Sequence, residues 1–257
     1  MFAAFVIKFI IFGFCGWLWE SVLYTILSGK PDNRGFLYGP ICPIYGFGAN
    51  IAAALFGSLI GNPFKLFFVC MISSATLEYI TSFVLEKFFG ARWWDYSTIP
   101  LNIHGRICLS CSIAFGLAGV ILLPGAIIPI INRVDAIPTE TASIIAIILA
   151  GFLGGDTFLS INNIIDLNKL MEDIEREAVE RRNAAGKFIE EHGGSAIKDA
   201  VMKRVPKLSR KQTYLIKNIS SFTSENKEKI IRLLKISVGY PLEPAGSKPA
   251  EKSDNLN

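Results

Sequence analysis

Five apolar stretches divide the first part of the chain: about Phe2 to Leu27, Ile41 to Ile60, Phe64 to Leu85, Ile107 to Ile131 and Thr141 to Ile161. A helix needs about 20 residues to cross a hydrocarbon core of about 30 Å, so each stretch is expected to span a bilayer. Past Ile161 the period changes. Leu167, Met171, Ile174, Ala178, Ala185 and Phe188 recur at heptad-like spacing, interrupted by Arg181, with Glu and Arg between them. This pattern predicts an amphipathic helix running to about Glu191, ended at His192-Gly193-Gly194 because glycine readily takes the left-handed cap. Shorter helices are expected around Ala196 to Arg204 and Glu225 to Lys235. The stretch from Pro241 to Asn257, rich in Pro, Gly, Ser, Lys and Glu, is expected to be disordered.

The organisation is therefore an all-α polytopic membrane protein: a transmembrane helical domain over 1–161, a helical cytoplasmic tail over 162–240 and a disordered end over 241–257. Within it, Pro43, Gly46 and Gly48 mark helix two as a candidate broken helix, and Pro124 and Pro129 mark helix four as one that bends. Gly151-Phe152-Leu153-Gly154-Gly155 carries small residues four apart, which lets helices approach closely. It is read as internal packing.

Composition agrees with a membrane class: 51% of the 257 residues are hydrophobic and 19% charged, with a mean hydropathy of +0.41. The first apolar run has neither a basic region before it nor a small-residue cleavage site after it, so a spanning helix is expected rather than a removed signal peptide. Charge is uneven. Residues 1–161 hold 8 of the 26 Lys and Arg, and the remainder hold 18. Lys30 and Arg34 follow helix one, Lys87, Arg92 and Arg106 follow helix three, and the alternate loops carry only Lys65 and Arg133. The excess of Lys and Arg on cytoplasmic loops predicts the N-terminus outside and the C-terminus inside. A basic tail at that surface suits anionic lipid, and no basic patch interleaved with aromatics points to nucleic acid.

An ionisable side chain at the centre of a spanning helix costs at least about 2.5 to 3.5 kcal/mol on insertion scales. Glu20, Glu78 and Asp156 each lie about five to eight residues from the cytoplasmic end of their helix, a depth of about 8 to 12 Å. Three carboxylates are thus expected at one height. Arg106 is expected to offer its planar fork to one or two of them, forming a cytoplasm-facing cavity for a proton, cation or charged substrate. The alternative is a structural ion pair that fixes helix packing. Lys8, near the outer end of helix one, is expected to snorkel outward. Two aromatic loops would roof the cavity, one with Arg34 and Tyr38, the other with Trp93, Trp94, Asp95, Tyr96 and His104. Their rings suit the headgroup level.

The five cysteines imply no disulfide framework. His104, Cys108 and Cys111 have i, i+4, i+7 spacing, and Cys42 sits in the other loop, but paired ligands at the usual zinc spacing are missing, so no metal site is expected. There is no phosphate loop, no His-Glu-x-x-His and no Gly-x-Ser-x-Gly. No cofactor is implied and the chain is not expected to be an enzyme. His104 with Asp95 is the one pair that could do acid–base work on a lipid headgroup.

In the two loops, Gly35-Phe36-Leu37-Tyr38-Gly39-Pro40-Ile41-Cys42-Pro43-Ile44-Tyr45-Gly46 and Trp93-Trp94-Asp95-Tyr96-Ser97 with Asn102, Gly105, Arg106 and Ile107, together with Leu77-Glu78-Tyr79, carry a resemblance. Over about Phe9 to Ile161 the chain resembles the bacterial membrane-protein family labelled "Putative ABC-transporter type IV", also called CmpB-like. The resemblance implies a permease component in the lipid bilayer, of unstated substrate. Lacking an ATP-binding cassette, it would need a separate ATPase subunit, and a homo-oligomer stays open. The alternatives are a membrane-anchored scaffold or regulator working through the tail, and a membrane enzyme acting on lipid headgroups.

Overall fold

The computed structural model describes residues 2–29, 33–184, 193–205 and 208–239. The expected disorder over 241–257, the predicted helix end at His192, and Ala185 and Phe188 lie outside the described residues. Helix α1 spans Phe2–Ser28, α2 Pro43–Phe56 with a 3-10 turn Gly57–Leu59, and α3 Pro63–Phe89. Helix α4 spans Leu109–Leu122, then a π-turn Leu123–Ile127 leads into α5, Ile128–Asp135, and α6 runs over Thr139–Ala184. The tail adds α7, Gly193–Arg204, α8, Arg210–Asn218, and α9, Glu225–Ser237.

Among the described residues, four helical stretches are long and apolar enough to cross a bilayer: Phe2–Ile26, Pro63–Phe89, Leu109–Asp135 and Thr139–Glu180. The second expected span is shorter, Pro43–Leu59, about 25 Å at the helical rise. Local chemistry explains the ends of α3. Asn62 caps it by accepting from Lys65 N at 3.0 Å, Pro63 follows the cap, and Gly90 closes it at φ 65°, a conformation that glycine adopts without a Cβ penalty.

Helix α2 corrects the expectation of a break. It continues as α-helix through Gly46 and Gly48, and Gly46 serves contact instead, since a Cβ there would meet Phe9 O at 2.6 Å. Helix four does depart from α geometry, at the π-turn that contains Pro124, because proline removes a backbone donor. Helix α6 carries 46 residues without a break at Ile161. No proline or glycine interrupts it there, so the change of period alters what the helix touches and leaves its backbone intact.

At one end of the bundle, Val6, Ile7, Val134, Ala142 and Ala146 pack together, and Lys8 Nζ meets Asp135 at 2.7 Å. At the other end, the buried side chains Leu167, Met171 and Ile174 of α6 meet Val201, Leu215, Ile216, Ile219, Ile230, Ile231 and Leu234 of the tail. Ala91, Phe36, Phe89 and Trp93 belong to the same core. The tail is therefore packed onto the two loops. Strand β1, Ala91–Arg92, pairs antiparallel with β4, Ser221–Phe222, while β2, Asn102–Ile103, and β3, Ile107–Cys108, form a small hairpin before α4.

Candidate functional site

Counted from Phe2, Pro63 and Thr139, where their helices begin, the residues Glu20, Glu78 and Asp156 lie 18, 15 and 17 positions along. At 1.5 Å per residue these are heights of about 27, 23 and 26 Å. The three carboxylates thus lie at similar distances along their helices.

Their partners differ. Glu20 accepts from Tyr45 Oη at 2.9 Å and lies 3.9 Å from Cys42 Sγ. Glu78, 7% exposed, accepts from Tyr96 Oη at 3.3 Å through Oε1, while Oε2 is buried without a hydrogen-bond partner. The charges of Glu20 and Glu78 act on one another, and Arg34 adds a favourable charge beside Glu20. Arg34 itself stacks 3.4 Å from the centre of the Tyr24 ring. Tyr96 is half-buried, and burial, then the charge of Glu78, hold its hydroxyl well above the usual phenol range.

Asp156 is held apart from that pair. It accepts from the backbone N–H groups of Tyr38 at 3.2 Å and Gly39 at 2.9 Å. A Cβ on Gly39 would lie 2.9 Å from Asp156 Oδ2, so a larger residue there would press on the carboxylate that the loop binds. Burial, then the charge of Asp156, push the Tyr38 hydroxyl up to about 12.

Arg106 corrects the expected ion pair. Its guanidinium goes to Glu86 at 2.7 Å and to Ser82 Oγ at 3.3 Å, and to none of the three deeper acids. Glu86 also takes two hydrogen bonds from Arg92, at 2.8 and 3.1 Å, and one from Thr223 of the tail at 2.9 Å. The sequence reading missed Glu86 because the expected span ended at Leu85. The signal was present in Glu78, Ser82 and Glu86, spaced i, i+4, i+8 along one face of α3.

The remaining loop residues make contacts within the loops and to α3 and the tail. Trp93 packs its ring 5.2 Å from that of Phe36 and 6.1 Å from that of Phe89. Trp94 donates from Nε1 to Arg106 O at 3.0 Å. Asp95 accepts from Ser97 N at 2.9 Å and Ser221 Oγ at 3.2 Å, whereas the exposed His104 shares a hydrogen bond with Tyr79 Oη at 3.0 Å. Asp95 and His104 are thus engaged elsewhere, not with each other as the acid–base reading required. His104 lies in a turn, at φ 53°, and α4 starts at Leu109, so its spacing to Cys108 and Cys111 is not helical. Among the described residues, no group of three His, Cys, Asp or Glu is arranged to hold a metal.

No curated protein and no solved structure matches the chain. A family model described as "Putative ABC-transporter type IV" matches residues 7–161, which include both loops, the three carboxylates and the Arg106–Glu86 pair. The chain is a membrane protein that belongs to this ABC-transporter-related family.

Proposed function

We propose that the chain is the permease-like subunit of a transport system, with ATP hydrolysis supplied by a separate subunit. The family description supports the first part, and the lack of a phosphate loop in this chain supports the second. In this reading the N-terminus is outside, and the loops and tail face the cytoplasm, as the Lys and Arg of loops and tail favour. Arg34, Tyr38, Trp93, Trp94, Asp95, His104 and Arg106 then form or brace the cytoplasmic wall of the path. Asp156 anchors the first loop against α6.

The observation that carries the reading is Glu78, a buried carboxylate with one oxygen unpartnered, within electrostatic reach of Glu20 on another helix. Such intramembrane acids mark substrate or ion pathways. The test is a nanodisc pull-down of the intact protein with mass spectrometry, followed by transport measurement on Glu78→Gln. A stoichiometric ATP-binding protein and a loss of transport at least tenfold are expected. Recovery of the protein alone would remove the ATPase, and full transport by Glu78→Gln would remove the carboxylate path.

A second reading, a membrane-anchored regulator, draws support from the tail core, which incorporates Phe36, Ala91 and Trp93 of the loops. Exchange of the tail for an unrelated soluble domain separates the two. A permease would keep its substrate binding, and a regulator would lose its partner.

A further inference from the structure

Cys108-Leu109-Ser110-Cys111 places two cysteines three positions apart, where β3 gives way to α4. Cys108 is the N-cap of α4, with extended backbone at φ −138° and ψ 153°, so Cys111 takes the third helical position. At a helix start these two positions face one another across the first turn, the relation through which a capping box closes. The thiols of Cys108 and Cys111 accordingly lie in hydrogen-bond contact, and both are free. Cys42 meets Glu20 and Cys70 packs on Gly119 of α4, whereas Cys108 and Cys111 meet each other.

The surroundings give the two sulfurs different access. Cys108 is 2% exposed, with Ser110 Oγ 3.3 Å from its Sγ. Cys111 is half-buried and is also in hydrogen-bond contact with Tyr96, whose hydroxyl donates to Glu78. The pair sits where the Leu109–Asp135 stretch begins, at the junction of helix and loop rather than midway along the span. An isolated buried cysteine acts as a small apolar residue. Two thiols in contact in a Cys-x-x-Cys arrangement are a different chemical object, because together they can exchange with an external disulfide.

We propose that Cys108 and Cys111 form a reversible redox site, oxidised to an intrachain disulfide by a small disulfide of the glutathione class. Cys111, the more accessible sulfur, attacks one sulfur of the small disulfide, and the first small thiol departs with the Cys111 proton. Cys108 then attacks Cys111 Sγ, and the second small thiol departs with the Cys108 proton. In balance, the two cysteines lose two electrons and two protons, and the small disulfide gains them as two thiols. Closure withdraws the Cys111 thiol from Tyr96, which ties the state of the pair to the residue that holds Glu78. The site itself does not depend on the transport reading.

The test equilibrates the full chain in detergent with mixtures of glutathione and glutathione disulfide, followed by acid quench, alkylation with N-ethylmaleimide, trypsin digestion and mass spectrometry. The tryptic peptide Ile107–Arg133 contains Cys108 and Cys111 and no other cysteine. The disulfide therefore reads as a peptide that has lost two hydrogen atoms and carries no maleimide. In excess glutathione disulfide this form is expected to exceed the singly glutathionylated peptide at least tenfold, because the second exchange is intramolecular. Excess glutathione is expected to return the dithiol. Cys108→Ser, a residue suited to an N-cap, removes the second thiol, so its Cys111 is expected to accumulate the mixed disulfide. Cys111→Ser is expected to leave the buried Cys108 at least fivefold less glutathionylated. A pair that stays unmodified in excess glutathione disulfide, with helical circular dichroism intact, overturns the proposal. So does a mixed disulfide that persists in the unmodified protein, and equal glutathionylation of the two variants overturns Cys111 as the attacking thiol. If a serine variant does not fold, the peptide ratio in the unmodified protein decides.

Discussion

The hydroxyl of Tyr214, in α8, donates to the carbonyl of Leu37, 2.7 Å away and 177 positions earlier in the chain. It lies 3.2 Å from Gly35 O as well, so one tail side chain satisfies acceptors of a loop that has little regular structure of its own. Buried carbonyls without donors are costly. Tyr214→Phe keeps the ring contact with Tyr38, whose centre is 5.0 Å away, and removes only the hydroxyl. A loss of about 0.5 to 1.5 kcal/mol in stability is expected, with faster hydrogen exchange over residues 33–42. Unchanged exchange in that loop would show that the tail does not hold it.

Glu86 ties three parts of the chain to α3. Side-chain exposures of 12% for Glu86 and 11% for Arg106 make this a largely desolvated pair, and removing one partner of such a pair costs about 3 to 5 kcal/mol because the other charge is stranded. Glu86→Gln strands part of the charge of both Arg92 and Arg106 and is expected to destabilise by about 3 kcal/mol. Adding Arg106→Gln should restore part of that loss. A double-mutant cycle by thermal unfolding in detergent reads the coupling, and additive effects would mean that the two groups act independently.

The glycines separate what the sequence reveals from what it hides. Gly151, Gly154 and Gly155 form the recognisable small-residue pattern, yet an added Cβ meets nothing within 4 Å at any of them. The close helix contacts fall elsewhere: Gly46 on Phe9 of α1, and Gly119 on Cys70 of α3, where a Cβ would lie 2.5 Å from Sγ. Gly46→Ala is expected to destabilise by about 1 to 3 kcal/mol through overpacking against backbone. Gly151→Ala is expected to be neutral, or stabilising by up to about 1 kcal/mol from helix propensity. Thermal unfolding of the two variants side by side checks this, and equal losses would contradict the packing described here.

Helix positions were legible because hydrocarbon thickness imposes a length on apolar runs. Partners were not legible. Arg106 was expected to meet one or two of Glu20, Glu78 and Asp156, and its pairing with Glu86 depends on the path of the 91–108 loop, which brings Arg92 and Trp94 alongside. His104 and Asp95 looked like a pair because they share that loop, but the turn at His104 and Gly105, both at positive φ, aims the ring at Tyr79. Gly105 suits that backbone because it has no Cβ to strain at positive φ, and a Cβ there would also crowd Asp95 Oδ1 at 2.6 Å.

Tyr38 gives the chain an alkaline signature. Its hydroxyl is buried without a hydrogen-bond partner, and burial followed by the charge of Asp156 moves it from about 10 in an unfolded chain up to about 12. The folded state thus holds this proton more tightly than the unfolded state. Its contribution is fully present below pH 10 and is lost as the pH rises from about 10 through about 12. Unfolding temperature should fall across that window, and fall less in Tyr38→Phe, which has no proton to lose. Tyrosinate absorbance provides the direct reading: the amplitude that disappears in Tyr38→Phe should lie above pH 11. Amplitude lost near pH 10 would place the hydroxyl in water and detach Tyr38 from Asp156. Asp156→Asn distinguishes the two causes, because burial persists when the charge is removed. A small downward movement of the Tyr38 transition is expected in that variant, with most of the displacement retained.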